Sequence, residues 1–429
     1  MGKKELKTIL ILFLSGFLFA QNTPTSTTKA PELLQSVLDS LSLKYPEVLK
    51  NPERYKLKMV FTQIKRSKTK VSLETVSFRE DQKEYLYPAS IVKLPTTLIS
   101  LEEFNNIKQK VPSATLNNTI KFFQKKGCLP TTNQIKIGNR LYPTSLDVLI
   151  KMTLAVSDND AYNRLYDFCG QQKLNSRIKE LGFKDGKIIR KFVLNCNLNQ
   201  NRISDSLIML GKRGERLYTR GTITNTDSIV TDTSYKLGLQ YEGFNKQVIN
   251  KPFDFSKQNN LDLLDIHKTL AGLVFPKSAS NYRFNINEVQ RKYLLQNLGR
   301  YPDEYGLAYN SLEFFPTYKK YLLFGRDPKL NYLNDSLNRF RSLNIVGVSF
   351  GCVIDCAYLI DFQTGKEFIL TVGMYANQDE VINDAKYDYD NLAYPFMKDA
   401  GRFFMNAIAE NPDAIPYLEN FGRELEFRK

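Results

Sequence analysis

The chain has 429 residues, 42% hydrophobic and 12% aromatic, which excludes a disordered tail and allows one large or two ordinary domains. A net charge of +15 suits contact with anionic polymers such as cell-wall or outer-leaflet sugars, or simply keeps the chain in solution; no nucleic-acid motif accompanies it, so nucleic acid is not an expected partner. The single histidine, His267, excludes a zinc site built on two or three histidines and leaves any Ser-His-Asp triad that one residue to use.

Lys3, Lys4 and Lys7 precede the apolar run Ile9–Phe19, and Ala20-Gln21 follows as a cleavage point. This predicts a signal peptide over residues 1–20 and an exported chain, periplasmic or secreted, of about +13 once it is removed. An uncleaved anchor is the alternative. No internal run of about 18 apolar residues occurs, so no membrane span is expected after cleavage. A Thr-rich lead-in is expected over 21–34, with a single domain from 35 to 429. Across that boundary, Pro31–Lys44 reads as an amphipathic helix through Leu33, Leu34, Val37, Leu41 and Leu43.

Two strands are predicted at Lys58–Lys65 and Val71–Phe78, followed by the stretch Tyr85–Pro95. It holds Ser90 and Lys93, three apart at the mouth of a helix whose apolar face runs through Leu94, Leu98, Leu101 and Phe104. Residues three apart on a helix share a face, so Lys93 can lie beside the Ser90 hydroxyl. A desolvated lysine has a depressed pKa and can take the proton of a serine that is otherwise a poor nucleophile. The plainer reading is an N-cap serine and a surface lysine. Pro95 fits only if the helix begins near Ile91.

Residues 105–145 read as polar and irregular. Thr144 or Ser145 caps a helix through Leu146, Leu149, Ile150 and Leu154, and a second helix runs from Asn159 to a Gly170 cap. Ser157-Asp158-Asn159 therefore occupies a corner between helices, where Asp158 to Asp160 can simply be caps. Residues 200–340 read as mostly helical, with Leu261–Val274 and Asn287–Leu298 the clearest helices and Gly221–Val230 strand-like. His267 falls in the first of these and reads as structural. Three strands then follow, Asn344–Phe350, Cys356–Phe362 and Glu367–Tyr375, the last two joined by a turn at Gln363–Lys366, before a helix over Tyr394–Ala409. Five cysteines, an odd number, leave at least one thiol free, and the pairing is open.

Ser90-x-x-Lys93 at a helix start, Ser157-Asp158-Asn159 between helices and a small-residue strand before two more strands: this order resembles the serine β-lactamases and penicillin-binding proteins, closest to class A, over residues 35–200 and 340–410. The resemblance implies an α+β fold with a five-stranded antiparallel sheet flanked by helices. The sheet lobe would take about 35–104 and 340–429, the helical lobe about 105–339 with an extended insert at 200–339. It implies that Ser90 is acylated, that Lys93 shares its proton, that Ser157 passes a proton to the leaving nitrogen and that Asn159 holds a substrate amide. Gly347 and Val348 would line the cleft, with the Val348 and Ser90 N–H groups as the oxyanion hole. The family's Lys-Thr/Ser-Gly strand is matched here by Ile345-Val346-Gly347, which lacks the groups that meet a substrate carboxylate; Ser349 is the candidate to supply a hydroxyl instead. Gln363-Thr364-Gly365 lies in the wrong turn. The family's Glu-x-x-Leu-Asn is matched by Lys191-Phe192-Val193-Leu194-Asn195, with lysine where the water-activating acid belongs. No cofactor is implied. The substrate would be a β-lactam or a peptidoglycan-like small molecule, acted on by a serine hydrolase or bound by an envelope protein that keeps the fold without turnover.

Overall fold

The computed structural model describes residues 29–427 apart from 69, 124–127, 129–132, 195, 230–231, 280–283 and 331–334. The expected signal peptide and most of the lead-in lie outside the described residues, as does Asn195. Helix α1, Ala30–Lys44, takes in residues 30–34, assigned above to the lead-in, because Ala30, Leu33 and Leu34 are buried.

The core is a five-stranded antiparallel sheet. Its strands are β1 (Lys58–Arg66), β2 (Val71–Phe78), β3 (Phe340–Ser349), β4 (Cys352–Asp361) and β5 (Lys366–Tyr375), in the spatial order β3-β4-β5-β1-β2. The chain thus leaves the sheet after β2 and returns to its far edge some 260 residues later, so β1 pairs with β5 and the C-terminal strands meet the N-terminal ones. β4 is buried along its whole length, and its alternate residues serve two cores. Ile354, Cys356, Tyr358 and Ile360 face the core shared with Ser90's helix, whereas Val353, Ala357 and Leu359 face the core under α1 and the helix Tyr394–Ala407. β2 alternates exposed with half-buried positions, as an edge strand covered on one side does.

The helices that matter for the site are α2 (Lys93–Lys110), α3 (Leu146–Ala155), α4 (Asn159–Cys169), α5 (Gln171–Glu180), α6 (Leu263–Val274), α7 (Glu288–Gly299) and α8 (Tyr394–Ala407). Each of α3, α4 and α6 begins on a side-chain cap, at Ser145, Asp158 and Asp262. No described helix is long and apolar enough to cross a membrane.

Two sequence expectations are corrected. Residues 105–145 are not irregular: α2 runs to Lys110, and strands lie at Thr119–Phe123, Gln134–Ile137 and Arg140–Pro143. Residues 200–260 are not helical but a set of short strands, of which Ser206–Leu210 and Arg216–Arg220 are the longest. Strands of two to five residues do not sustain a readable alternation. The three C-terminal strands are present, but β3 and β4 start at Phe340 and Cys352, each four residues before the expected Asn344 and Cys356; in β3 the buried Arg341, paired with Glu304 at 2.8 Å, interrupts the apolar pattern.

His267 is structural. It bridges strands through Thr62 Oγ1 (2.7 Å from Nε2) and Thr371 Oγ1 (2.9 Å from Nδ1), and among the described residues no carboxylate bonds to it. Burial lowers its pKa to about 3. The unfolded chain takes up the proton below about pH 6.5 and the folded chain refuses it until about pH 3, so stability falls as pH drops through that window. The loss approaches ~5 kcal/mol at the acid end. Urea melts from pH 7 to pH 4 should show it, and His267→Gln should flatten the acid limb; an acid limb identical in the two proteins would remove His267 as its source.

Candidate functional site

Ser90 sits in a 3-10 turn, Ala89–Val92, that runs straight into α2. The backbone before it is strained: Ala89 has φ +46°, a left-handed conformation a Cβ-bearing residue rarely adopts. Pro95 is tolerated because it falls in the first turn of α2, where its missing N–H is among those a helix start leaves unpaired. Ser90 is partly exposed, and among the described residues its hydroxyl makes no hydrogen bond.

Lys93 is fully buried. Its Nζ donates to Ser157 O at 2.5 Å, Ser157 Oγ at 2.9 Å and Asn159 Oδ1 at 2.8 Å, which uses all its donors. The rings of Phe192 and Tyr162 cover the same nitrogen at 5.4 and 5.8 Å. Burial drives its pKa well below the usual lysine range, the nearby Lys319 charge pushes the same way, and Asp158 opposes them. A neutral amine keeps this geometry with the Ser157 hydroxyl donating to it, so the lysine can release a proton without moving.

Ser157 reaches Lys93 because the corner between α3 and α4 is tight. Val156 N and Asp158 N both donate to Met152 O, and Ser157 itself has φ +57°. Asp158 is the cap anticipated for α4, its Oδ1 accepting from Ala161 N at 2.8 Å. Capping and site-building coexist, since Asp158 caps while its neighbours Ser157 and Asn159 hold Lys93. Asn159 Oδ1 is taken by Lys93, which leaves its NH₂ donors for another partner.

Gly347 on β3 meets the Ser90 turn directly. A Cβ there would lie 2.4 Å from Pro88 O and 3.2 Å from Ser90 N. The glycine is therefore required by the protein's own backbone. Alternation places Ile345 and Ser349 on the Gly347 face; Ile345 is buried and uncharged, while Val348 and Ser349 are partly exposed at the end of the strand. Gly347→Ala should push the Ser90 turn away from β3. The variant should be destabilised by about 1–3 kcal/mol in urea unfolding, as overpacking of a tight contact does; an unchanged midpoint would show that the contact is not needed.

The run Lys191–Leu194 behaves differently from its sequence match. Lys191 Nζ turns away from the corner into a buried ion pair with Asp167 at 2.8 Å, both side chains fully enclosed, and also donates to Ile203 O. Phe192 is the residue that faces Lys93. Its backbone N and O are clasped by the Asn163 side chain at 2.7 and 2.9 Å, one helical turn beyond Asn159, and its ring stacks on Tyr162 at 4.7 Å. An aromatic ring therefore covers the amine, and the acid of the family motif has no counterpart in this run. The nearby Cys128–Cys196 disulfide ties this segment down; Cys169, Cys352 and Cys356 are free and buried. Sequence reading missed Phe192, Asp167 and Lys319, of which only Phe192 lay inside a motif it had noticed. Among the described residues no cluster of histidine, cysteine or acidic side chains could hold a metal ion.

A model of the β-lactamase enzyme family matches residues 50–228. Similar solved structures include the β-lactamase from Sphaerobacter thermophilus DSM 20745 (12% identity, 88% of this chain and 98% of that one, TM-score 0.45) and the β-lactamase from Streptomyces albus G (14%, 85% and 97%, 0.44). A structure of PBP-A is similar to the same degree (13%, 89% and 99%, 0.45). No curated protein matches the sequence. Residues 50–228 are thus similar to the β-lactamase enzyme family, and the five-stranded antiparallel sheet with flanking helices is a β-lactamase/DD-peptidase-like fold.

Proposed function

We propose that this protein is exported and reacts through Ser90 with β-lactams or related amides to form an acyl-serine that it releases slowly. The observation that carries the reading is the Lys93 amine, buried and bonded to both Ser157 Oγ and Asn159 Oδ1, one helical step from Ser90. Ser90 Oγ attacks the carbonyl carbon while its proton passes to the neutral Lys93 amine. The oxyanion is met by the Ser90 and Val348 N–H groups. Ser157 relays the proton to the leaving nitrogen, the C–N bond breaks, and an ester on Ser90 remains. Hydrolysing that ester requires an activated water, and the face over Lys93 is closed by Phe192 and Tyr162 instead of a carboxylate. The Cys128–Cys196 disulfide supports export, because such bonds persist in oxidising compartments.

A fluorescent penicillin should label the wild type covalently and leave Ser90→Ala dark. The missing acid also favours a second reading, an envelope protein that binds peptidoglycan without turnover. Retention on peptidoglycan that survives Ser90→Ala, with no Ser90-dependent label, would establish that reading in place of the first.

A further inference from the structure

The strand facing Ser90 carries no charge where a substrate anion would need one, yet a cation from elsewhere in the chain reaches this corner. The segment Tyr305–Lys320 lies between α7 and β3 in sequence and packs as a wall on the end of α3. Tyr305 clusters with Ala155 and Val156, immediately before Ser157, and Leu307, Tyr309, Phe314 and Tyr318 pack against that cluster. The segment is also pinned to the sheet: Asn344 Nδ2 donates to Lys319 O at 2.8 Å, and Lys320 Nζ donates to Ser342 O and Asn344 Oδ1. Asn344 lies on the face of β3 opposite Ile345 and Gly347, so the segment holds the strand from its other side. Lys319 is thus fixed between β3 on one side and the Ser157 corner on the other.

Its backbone is strained to that end, at φ +58° without glycine. Its ammonium is close enough to lower the proton affinity of Lys93 and to feel Asp158. Tyr318's ring lies 5.5 Å from its Nζ, and among the described residues that nitrogen has no hydrogen bond or ion pair. A partly buried ammonium without a partner is costly to keep unless an anion arrives to meet it.

We propose that Lys319 receives an anionic group of the acylating substrate, the role Ile345 leaves unfilled on the strand. This rests on acylation at Ser90 as proposed above. The test compares rates of Ser90 labelling by a fluorescent penicillin with its free carboxylate and by the methyl ester of that carboxylate. Lys319→Met should slow the acid by about tenfold or more beyond whatever slowing it causes with the ester, the ester reporting the effect through Lys93 and the excess reporting the contact with the anion. Lys319→Arg should keep most of the rate with the acid. Equal losses on both probes would mean that Lys319 acts only through Lys93, and no loss on either would mean that it does not meet substrate; both overturn the proposal and leave acylation at Ser90 intact. A wild type that reacts with neither probe overturns both readings together.

Discussion

Replacing Lys93 with methionine should slow acylation of Ser90 by about a thousandfold and leave the fold at least as stable as before. The two halves of this result separate a base from a structural lysine. Lys93 is fully buried, and its direct contacts are a carbonyl, a hydroxyl and a carboxamide oxygen, with no carboxylate among them. Burying an ammonium on neutral acceptors is unfavourable, which is why burial dominates its lowered pKa. Methionine fills much the same volume and removes the charge, so thermal stability should hold or rise even though Ser157 O loses a donor. Acylation needs the amine to accept a proton, and no other titratable side chain contacts Ser157 Oγ among the described residues. The check is a stopped-flow acylation rate alongside a thermal melt. A variant that melts well below the wild type and still acylates at a comparable rate would make Lys93 a packing residue.

Lys191→Glu, the substitution that writes Glu-x-x-Leu-Asn back into the chain, should destabilise the protein by about 3–5 kcal/mol and confer no turnover. The pairing of Lys191 with Asp167 is fully enclosed, and burial already pushes the Asp167 carboxyl up while the Lys191 charge pulls it back. Glutamate would face that carboxyl with another, in a place where one of them must take a proton. Position 191 also cannot serve the reaction. Asp167 lies eight residues along α4 from Asn159, roughly 12 Å down the helix axis at 1.5 Å per residue. A carboxylate at 191 would sit with Asp167, far from an ester on Ser90. The midpoint of urea unfolding measures the first half and steady-state hydrolysis of a chromogenic β-lactam the second. Restored turnover in a stable Lys191→Glu variant would show that the segment can swing toward the corner.

The contrast between these residues shows what one sequence makes legible. Ser90, Lys93, Ser157 and Asn159 were readable because each sits beside a local signal: an apolar helix start, a cap, a tight corner. The structure brings Lys93, Ser157 and Asn159 into contact and sets Gly347 against the Ser90 turn. β1, β2, β4 and β5 were legible from short apolar runs bounded by turns. The pairing of Lys191 with Asp167 spans 24 positions and the whole of α5, so no local signal links the two and the lysine could be seen only as a missing acid. Lys319 was hidden further still. It lies in an aromatic loop with no motif, and its approach to Lys93 depends on the loop packing on α3 and hydrogen-bonding to β3. The short strands of 200–260 escaped because paired segments of two to five residues take their stability from partners, and intrinsic pattern says little about them.

The central claim is that Ser90 forms a covalent ester that outlives its formation because, among the described residues, aromatic rings and not the acid of Glu-x-x-Leu-Asn lie over Lys93. Intact-mass spectrometry over time, after mixing with a panel of β-lactams, reads both parts at once. The account predicts a mass gain of one inhibitor per chain, absent from Ser90→Ala and persisting long after free drug is removed. An unmodified chain across the whole panel, or an adduct that forms and clears within a few turnovers, would contradict it.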